Sequence, residues 1–472
     1  MSSFPTLTIA ADQLQPEGSF AEAQAAYLSP DPSTVEELAK LCRDENIGIV
    51  AHYYMDAELQ GVLTQLPESH MTIADSLKMA DAAVEQARAG RRAIVVLGVD
   101  FMSENVRAVL DAAGFEGVGV YRLATDPIGC SLAESAEGQA YAGWLERAAK
   151  SSQPLHVVYI NTSLMTKAKA HAVVPTITCT SSNVVKTILQ AAAEIPDVSI
   201  WYGPDTYMGA NLEAMFQQYA TLPDDAIQQL HPAHDQASIR RVLERFAYFR
   251  QGNCVVHHMF GDDVVARVKE EHADAFIAAH LEVPGEMFAL GAAAAREGRG
   301  VVGSTSNILG FILDKLDEAL ARPEPARLPV VLGTEAGMVT SIVRKVQDRL
   351  RAAGRTDVQV QIVFPVASEA VTQVDDPIGL IPGVQGFEGC TVAGGCATCP
   401  YMKMNELDGL FRVLELLRDG QDDRLGPYRP KTYTEQVAGR TAADLGSEPI
   451  LHMRHFQQHG VMAPRLVEQV GA

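Results

Sequence analysis

IGIVAHYY, residues 47–54, is a short apolar run that ends in a histidine and two tyrosines. Without polar alternation it fits a parallel strand covered on both faces. A polar strand end matters, because open parallel sheets bind ligands where strand ends meet helix N-termini. The pattern recurs. Strands end at His52, at Tyr159 in HVVYINT and at His280 in AFIAAHLE. A hydroxyl-bearing helix start follows each one after 24, 22 and 24 residues: Ser76 in IADSLKMA, Ser181 in CTSSNVVK and Ser304 in GSTSNILG. Next comes a strand closing on glycine with methionine behind it: Gly98 and Met102, Gly203 and Met208, Gly333 and Met338. Each stretch then reaches cysteine: Cys130 in IGCSLAES, Cys254 in GNCVVHH, and three cysteines in CTVAGGCATC, residues 390–399.

Landmarks of several kinds recurring in one order mark a repeated supersecondary unit. Helical patterns such as TVEELAKLCRDE, SENVRAVLDAA and SNILGFILDKLDEALA lie between the strand runs, as stacked βαβ units require. The expected fold class is α/β: three similar αβα three-layer units with parallel sheets arranged about a pseudo-threefold axis, and an active site at the centre. The units are expected at residues 31–150, 151–270 and 271–420. A polar extension (1–30) precedes them, and a tail (421–472) packs on them; sheets are free to exchange segments.

The chain has 472 residues, 47% hydrophobic and 21% charged, with a formal charge of −21. That balance argues against a nucleic-acid surface. A small anion can still bind, since helix N-termini or a metal make a site locally positive. No run is long enough for a membrane span, and the first residues lack the features of a targeting leader. Seven cysteines in that setting point to a reducing compartment, read as cytoplasmic.

The cysteines fit poorly as a structural zinc site, which needs four ligands, usually in two close pairs. A thioredoxin-type pair should follow the first strand of a βαβ unit, and Cys396 and Cys399 stand late in the chain. One thiolate from each unit would instead hold three irons of a [4Fe–4S] cluster and leave the fourth open as a Lewis acid. Spacing alone does not separate this from unrelated buried cysteines.

With AHYY (51–54), DSL (75–77), GVDFMSEN (98–105), GCSLA (129–133), YINTS (159–163) and TSSN (180–183), the chain resembles the quinolinate synthase family. GPD (203–205), GNCVVH (252–257), AHLEV (279–283), GST (303–305), GTEAG (333–337) and CPYMKMN (399–405) continue the resemblance in family order. The resemblance implies one [4Fe–4S] cluster per chain, held by Cys130, Cys254 and Cys399. It implies condensation of iminoaspartate with dihydroxyacetone phosphate to quinolinate in de novo NAD biosynthesis, with loss of phosphate and two waters. Glu282, His280 and Tyr54 become the catalytic set. His52, Ser76, Tyr159, Asn161, Ser181, His257, Ser304 and Thr305 become the substrate-binding set. Cys390 and Cys396 become bystanders or a disulfide pair. An upstream aspartate-oxidising enzyme is implied as supplier, with no nucleic-acid or membrane partner.

Two features depart from the family pattern. His280-Leu281-Glu282 stands where His-Pro-Glu is usual, and the stretch between Asn161 and Thr180 looks longer, which leaves Lys167 unassigned. Two other functions compete: a different [4Fe–4S] dehydratase on a threefold scaffold, and a non-catalytic iron–sulfur or redox sensor.

Overall fold

The computed structural model describes residues 4–366 and 398–471; Cys390 and Cys396 lie outside them. Three sheets carry the α/β architecture. The first takes strands Ile47–His52, Met71–Ala74, Ala93–Leu97 and Gly119–Tyr121. The second takes Pro154–Tyr159, Thr176–Cys179, Ser199–Gly203 and Phe246–Tyr248. The third takes Phe276–His280, Gly300–Gly303, Ala326–Gly333 and Val358–Val363. In all three, the order across the sheet is second, first, third, fourth. Each sheet draws these strands from one of the three expected stretches. The likeness is one of strand order and does not by itself define a symmetry axis.

Register explains the spacings. His52 pairs with Ala74, Tyr159 with Cys179 and His280 with Gly303, all in parallel ladders. The chain leaves one strand end, crosses back through a helix, and returns beside its starting point one or two residues before the serine. Met102, Met208 and Met338 are buried core fillers, as their softness suits.

By contact the chain forms two compact units. One comprises Met1–Gly98, Tyr121–Ile128 and Val255–Arg429; the other comprises Val99–Val120, Gly129–Cys254 and Pro430–Ala472. In the first unit a single apolar cluster joins Leu7 and Ile9 to Tyr53, Ile308, Leu332, Ile342 and Val360. The expected polar extension therefore does more than pack on the outside. Thr6–Ile9 is a fully buried strand, paired antiparallel with Val358–Val363 and Leu14–Glu17. Its alternating Leu7 and Ile9 supply the apolar face that overall polarity conceals.

The second unit packs Tyr141, Trp144, Leu145 and Phe249 together. Tyr141 and the buried His156 share a hydrogen bond of 2.8 Å. The tail helix Ala442–His459 lies on Leu164–Val173. Gly446 permits the approach, since a Cβ there would fall 2.2 Å from the Leu164 carbonyl oxygen.

Candidate functional site

In the first unit, two strand ends repeat one local device. His52 closes its strand, and the Tyr54 N–H donates to its Nδ1 at 3.2 Å. His280 closes the equivalent strand, and the Glu282 N–H donates to its Nδ1 at 3.3 Å. An accepting Nδ1 on a neutral ring leaves Nε2 as the protonated nitrogen. Burial lowers the His52 pKa to about 3 and the His280 pKa to about 4, although the Glu282 charge pulls both upward. Both rings are neutral donors at physiological pH.

Glu282 is 4% exposed and lies among imidazoles. Its Oε2 is 3.2 Å from His257 Nδ1, and its Oε1 is 3.5 Å from His280 Nδ1. The His257 contact is off the hydrogen-bond direction, so this buried nitrogen has no such bond among the described residues. The His257 and His280 rings stack at 4.7 Å and 6°. His257 Nε2 is 3.5 Å from Thr334 Oγ1. The Tyr54 hydroxyl meets Thr305 Oγ1 at 3.0 Å and Thr334 Oγ1 at 3.3 Å. Burial, followed by the Glu282 charge, pushes the Tyr54 phenol well up, so it stays protonated. Six expected residues, His52, Tyr54, His257, His280, Glu282 and Thr305, thus share one neighbourhood in this unit.

The three expected serines differ. Ser304 is a true N-cap on Thr305–Leu320, with its hydroxyl and Asn307 forming a capping box. Ser76 is the first residue of its helix, and Asp75 is the cap. Ser181 precedes the cap Asn183 by two residues. Capping therefore occupies Ser304, whereas the helix at 76 is capped by its neighbour Asp75 and the helix at 184 has no side-chain cap at Asn183.

The second unit holds Tyr159 at a strand end, Asn161 just beyond it, and Ser181. Lys167, left unassigned by sequence, is fully buried in the helix Leu164–Val173 and donates to the carbonyls of Ile160 (3.1 Å) and Thr162. Burial lowers its pKa to about 7, with Glu104 pulling the other way. Glu104 accepts from the Leu164 N–H and the Tyr433 hydroxyl, each at 2.9 Å.

The described cysteines sort by exposure. Cys42 and Cys179 are buried, whereas Cys130, Cys254 and Cys399 are partly open. Burial pushes the Cys42 thiol up to about 12, which suits a packed thiol and not a ligand. In the second unit, Ser131 Oγ donates to the Asn253 carbonyl at 3.0 Å, so the chain neighbours of Cys130 and Cys254 touch. Accessible soft thiols are the donors that iron–sulfur groups require, and the partial exposure of each of these cysteines suits that chemistry. Sequence reasoning missed Thr334, Glu335 and Gln60. The first two lie inside the quoted GTEAG, so a signal was present; Gln60 sits in no motif.

The family model described as Quinolinate synthetase A protein matches residues 36–421. The chain belongs to the quinolinate synthase family. It is 53% identical to a chloroplastic quinolinate synthase of Nicotiana tabacum and 51% identical to one of Arabidopsis thaliana. Both matches cover 99% of this chain and 67% of the relative, so the chain spans about two thirds of their length. A quinolinate synthase of Prochlorococcus marinus (strain MIT 9303) is 25% identical over 84% of this chain and 88% of its own. The chain is an enzyme of the quinolinate synthase type, in NAD biosynthesis, and a non-catalytic sensor is set aside. The expected cytoplasmic location is overturned, because the plant quinolinate synthases are named chloroplastic. The cysteine argument reports a reducing compartment, and it cannot tell one such compartment from another.

Proposed function

We propose that this quinolinate synthase condenses iminoaspartate with dihydroxyacetone phosphate, releasing phosphate and two waters. The observation that carries the proposal is the buried Glu282 carboxylate, 3.2 Å from His257 and 3.5 Å from His280. A triose isomerisation needs a base beside a carbonyl, and a carboxylate in such a setting is suited to take a carbon-bound proton. His52 and His280 would present Nε2–H to substrate oxygens. Tyr54, fixed by Thr305 and Thr334, would donate its phenolic proton. Phosphate would be met by N–H groups at the starts of Ser76–Arg88 and Thr305–Leu320, where the helix dipole favours anions. Neutral donors and helix starts would thus accept anionic substrates despite the chain's negative charge. Tyr159, Asn161 and Ser181 are proposed as further substrate contacts.

Cys130, Cys254 and Cys399 would hold one [4Fe–4S] cluster, whose open iron supplies Lewis acidity for losing hydroxyl groups. Iminoaspartate hydrolyses readily, so an aspartate-oxidising enzyme would have to supply it. Among the described residues no helix is long and apolar enough to cross a membrane.

The test is an anaerobic assay for quinolinate from the two substrates, run beside an iron and sulfide count, on wild type and Glu282→Gln. The expected result is about four irons in both proteins and a turnover about 10²–10⁴ lower in the variant. Undiminished quinolinate formation by Glu282→Gln would remove its role as base. Absence of iron from the wild type would remove the cluster.

A further inference from the structure

Glu335 follows Thr334 in the GTEAG segment and is 1% exposed. Its Oε2 accepts the Gly337 N–H at 2.8 Å, which makes it the cap of the short helix Ala336–Met338. Capping accounts for one oxygen only. The other, Oε1, accepts the N–H of Cys399 at 2.8 Å, across 64 residues of sequence. Gly337 in turn backs onto the Tyr54 turn, since a Cβ there would lie 2.9 Å from Tyr54 Cα and 3.0 Å from the Met55 carbonyl oxygen. Gln60, fully buried, completes the connection. Its Nε2 donates to the carbonyls of Tyr53 (2.5 Å), Met55 (3.1 Å) and Gly337. A continuous buried polar strut therefore runs from the Tyr54 turn through Gly337 and Glu335 to Cys399.

We propose that Glu335 is a positioning residue: its carboxylate pins the Cys399 backbone, and so aims that thiolate at the iron–sulfur group. The inference rests on the cluster reading above. A cysteine's Cβ leaves the same Cα as its amide nitrogen, so a fixed N–H restricts where the sulfur swings. Both carboxylate oxygens are committed to backbone donors, one on each side. Outer supports of this kind alter metal affinity about 10–100-fold when removed.

Wild type and Glu335→Ala, both as holoenzyme, are to be compared for the rate of iron loss to a chelator and for the order in which cysteines become alkylated, mapped by peptide mass. Iron should leave the variant about tenfold faster or more, with Cys399 labelled ahead of Cys130 and Cys254. Equal acceleration of all three cysteines would signify general loosening and overturn the role; unchanged rates would overturn it too. Glu335→Gln, which keeps the size and one acceptor oxygen, carries the same expectation if the alanine variant does not fold. The labelling is repeated on the iron-free full chain. A wild type without iron would sink the cluster reading, while a selective gain at Cys399 would still decide the part played by Glu335.

Discussion

His52 and His280 are buried neutral, with folded pKa values of about 3 and 4, against an ordinary value of 6.5. In the second unit, burial places His156 at about 3 and His171 at about 4. Between pH 6.5 and those values the unfolded chain binds protons that the folded chain refuses. Stability therefore falls on acidification through this window, and these groups add no slope above it. Each contributes about 1.4 kcal/mol per pH unit. The denaturant midpoint should drop between pH 7 and pH 5, and a flat midpoint would contradict the burial of these rings. At this scale much was legible: His52, Tyr54, His280 and Glu282 stand at strand ends, where chemistry concentrates. Glu335 was not legible as a support, because its purpose depends on a contact 64 residues away.

Ser304 illustrates what an element end adds. Its hydroxyl and the Asn307 side chain cap each other's backbone N–H groups, and this cap orients the helix whose first residue, Thr305, steadies Tyr54. Ser304→Ala should lower stability by about 1 kcal/mol, read from the denaturant midpoint, and also weaken turnover through Tyr54. Full stability would mean that the cap is redundant. The long helices and the strands at 47–52, 154–159, 276–280 and 326–333 follow from apolar runs with clear periods. Met71–Ala74, Thr176–Cys179 and Phe246–Tyr248 are too short, and too mixed in residue type, to stand out. The first two were inferable only from the return spacing to Ser76 and Ser181. The three serines looked alike in sequence because spacing fixes where a helix begins and not which hydroxyl caps it.

Across the molecule, three sheets share one strand order, and the third gains an antiparallel margin from the N-terminal segment. Leu7 and Ile9 are fully buried there, worth about 1.5–3 kcal/mol each. Deleting residues 1–18 should lower the melting temperature and promote aggregation through the bared edge of Val358–Val363. Unchanged melting and a monodisperse product would show the strand to be dispensable. The repeat was readable from residue spacing, whereas the division by contact was not, since it depends on where distant segments return. That return has a consequence for synthesis. A ribosome delivers the four parallel strands of each sheet from one continuous stretch, so these can form in turn as the chain emerges. Two segments are different: Thr6–Ile9 must wait for Val358–Val363, and Leu164–Val173 waits uncovered until Ala442–His459 is translated. A nascent chain stalled before residue 430 would hold all three parallel sheets yet leave an apolar helix flank bare, which makes arrival of Ala442–His459 the natural point for chaperone release.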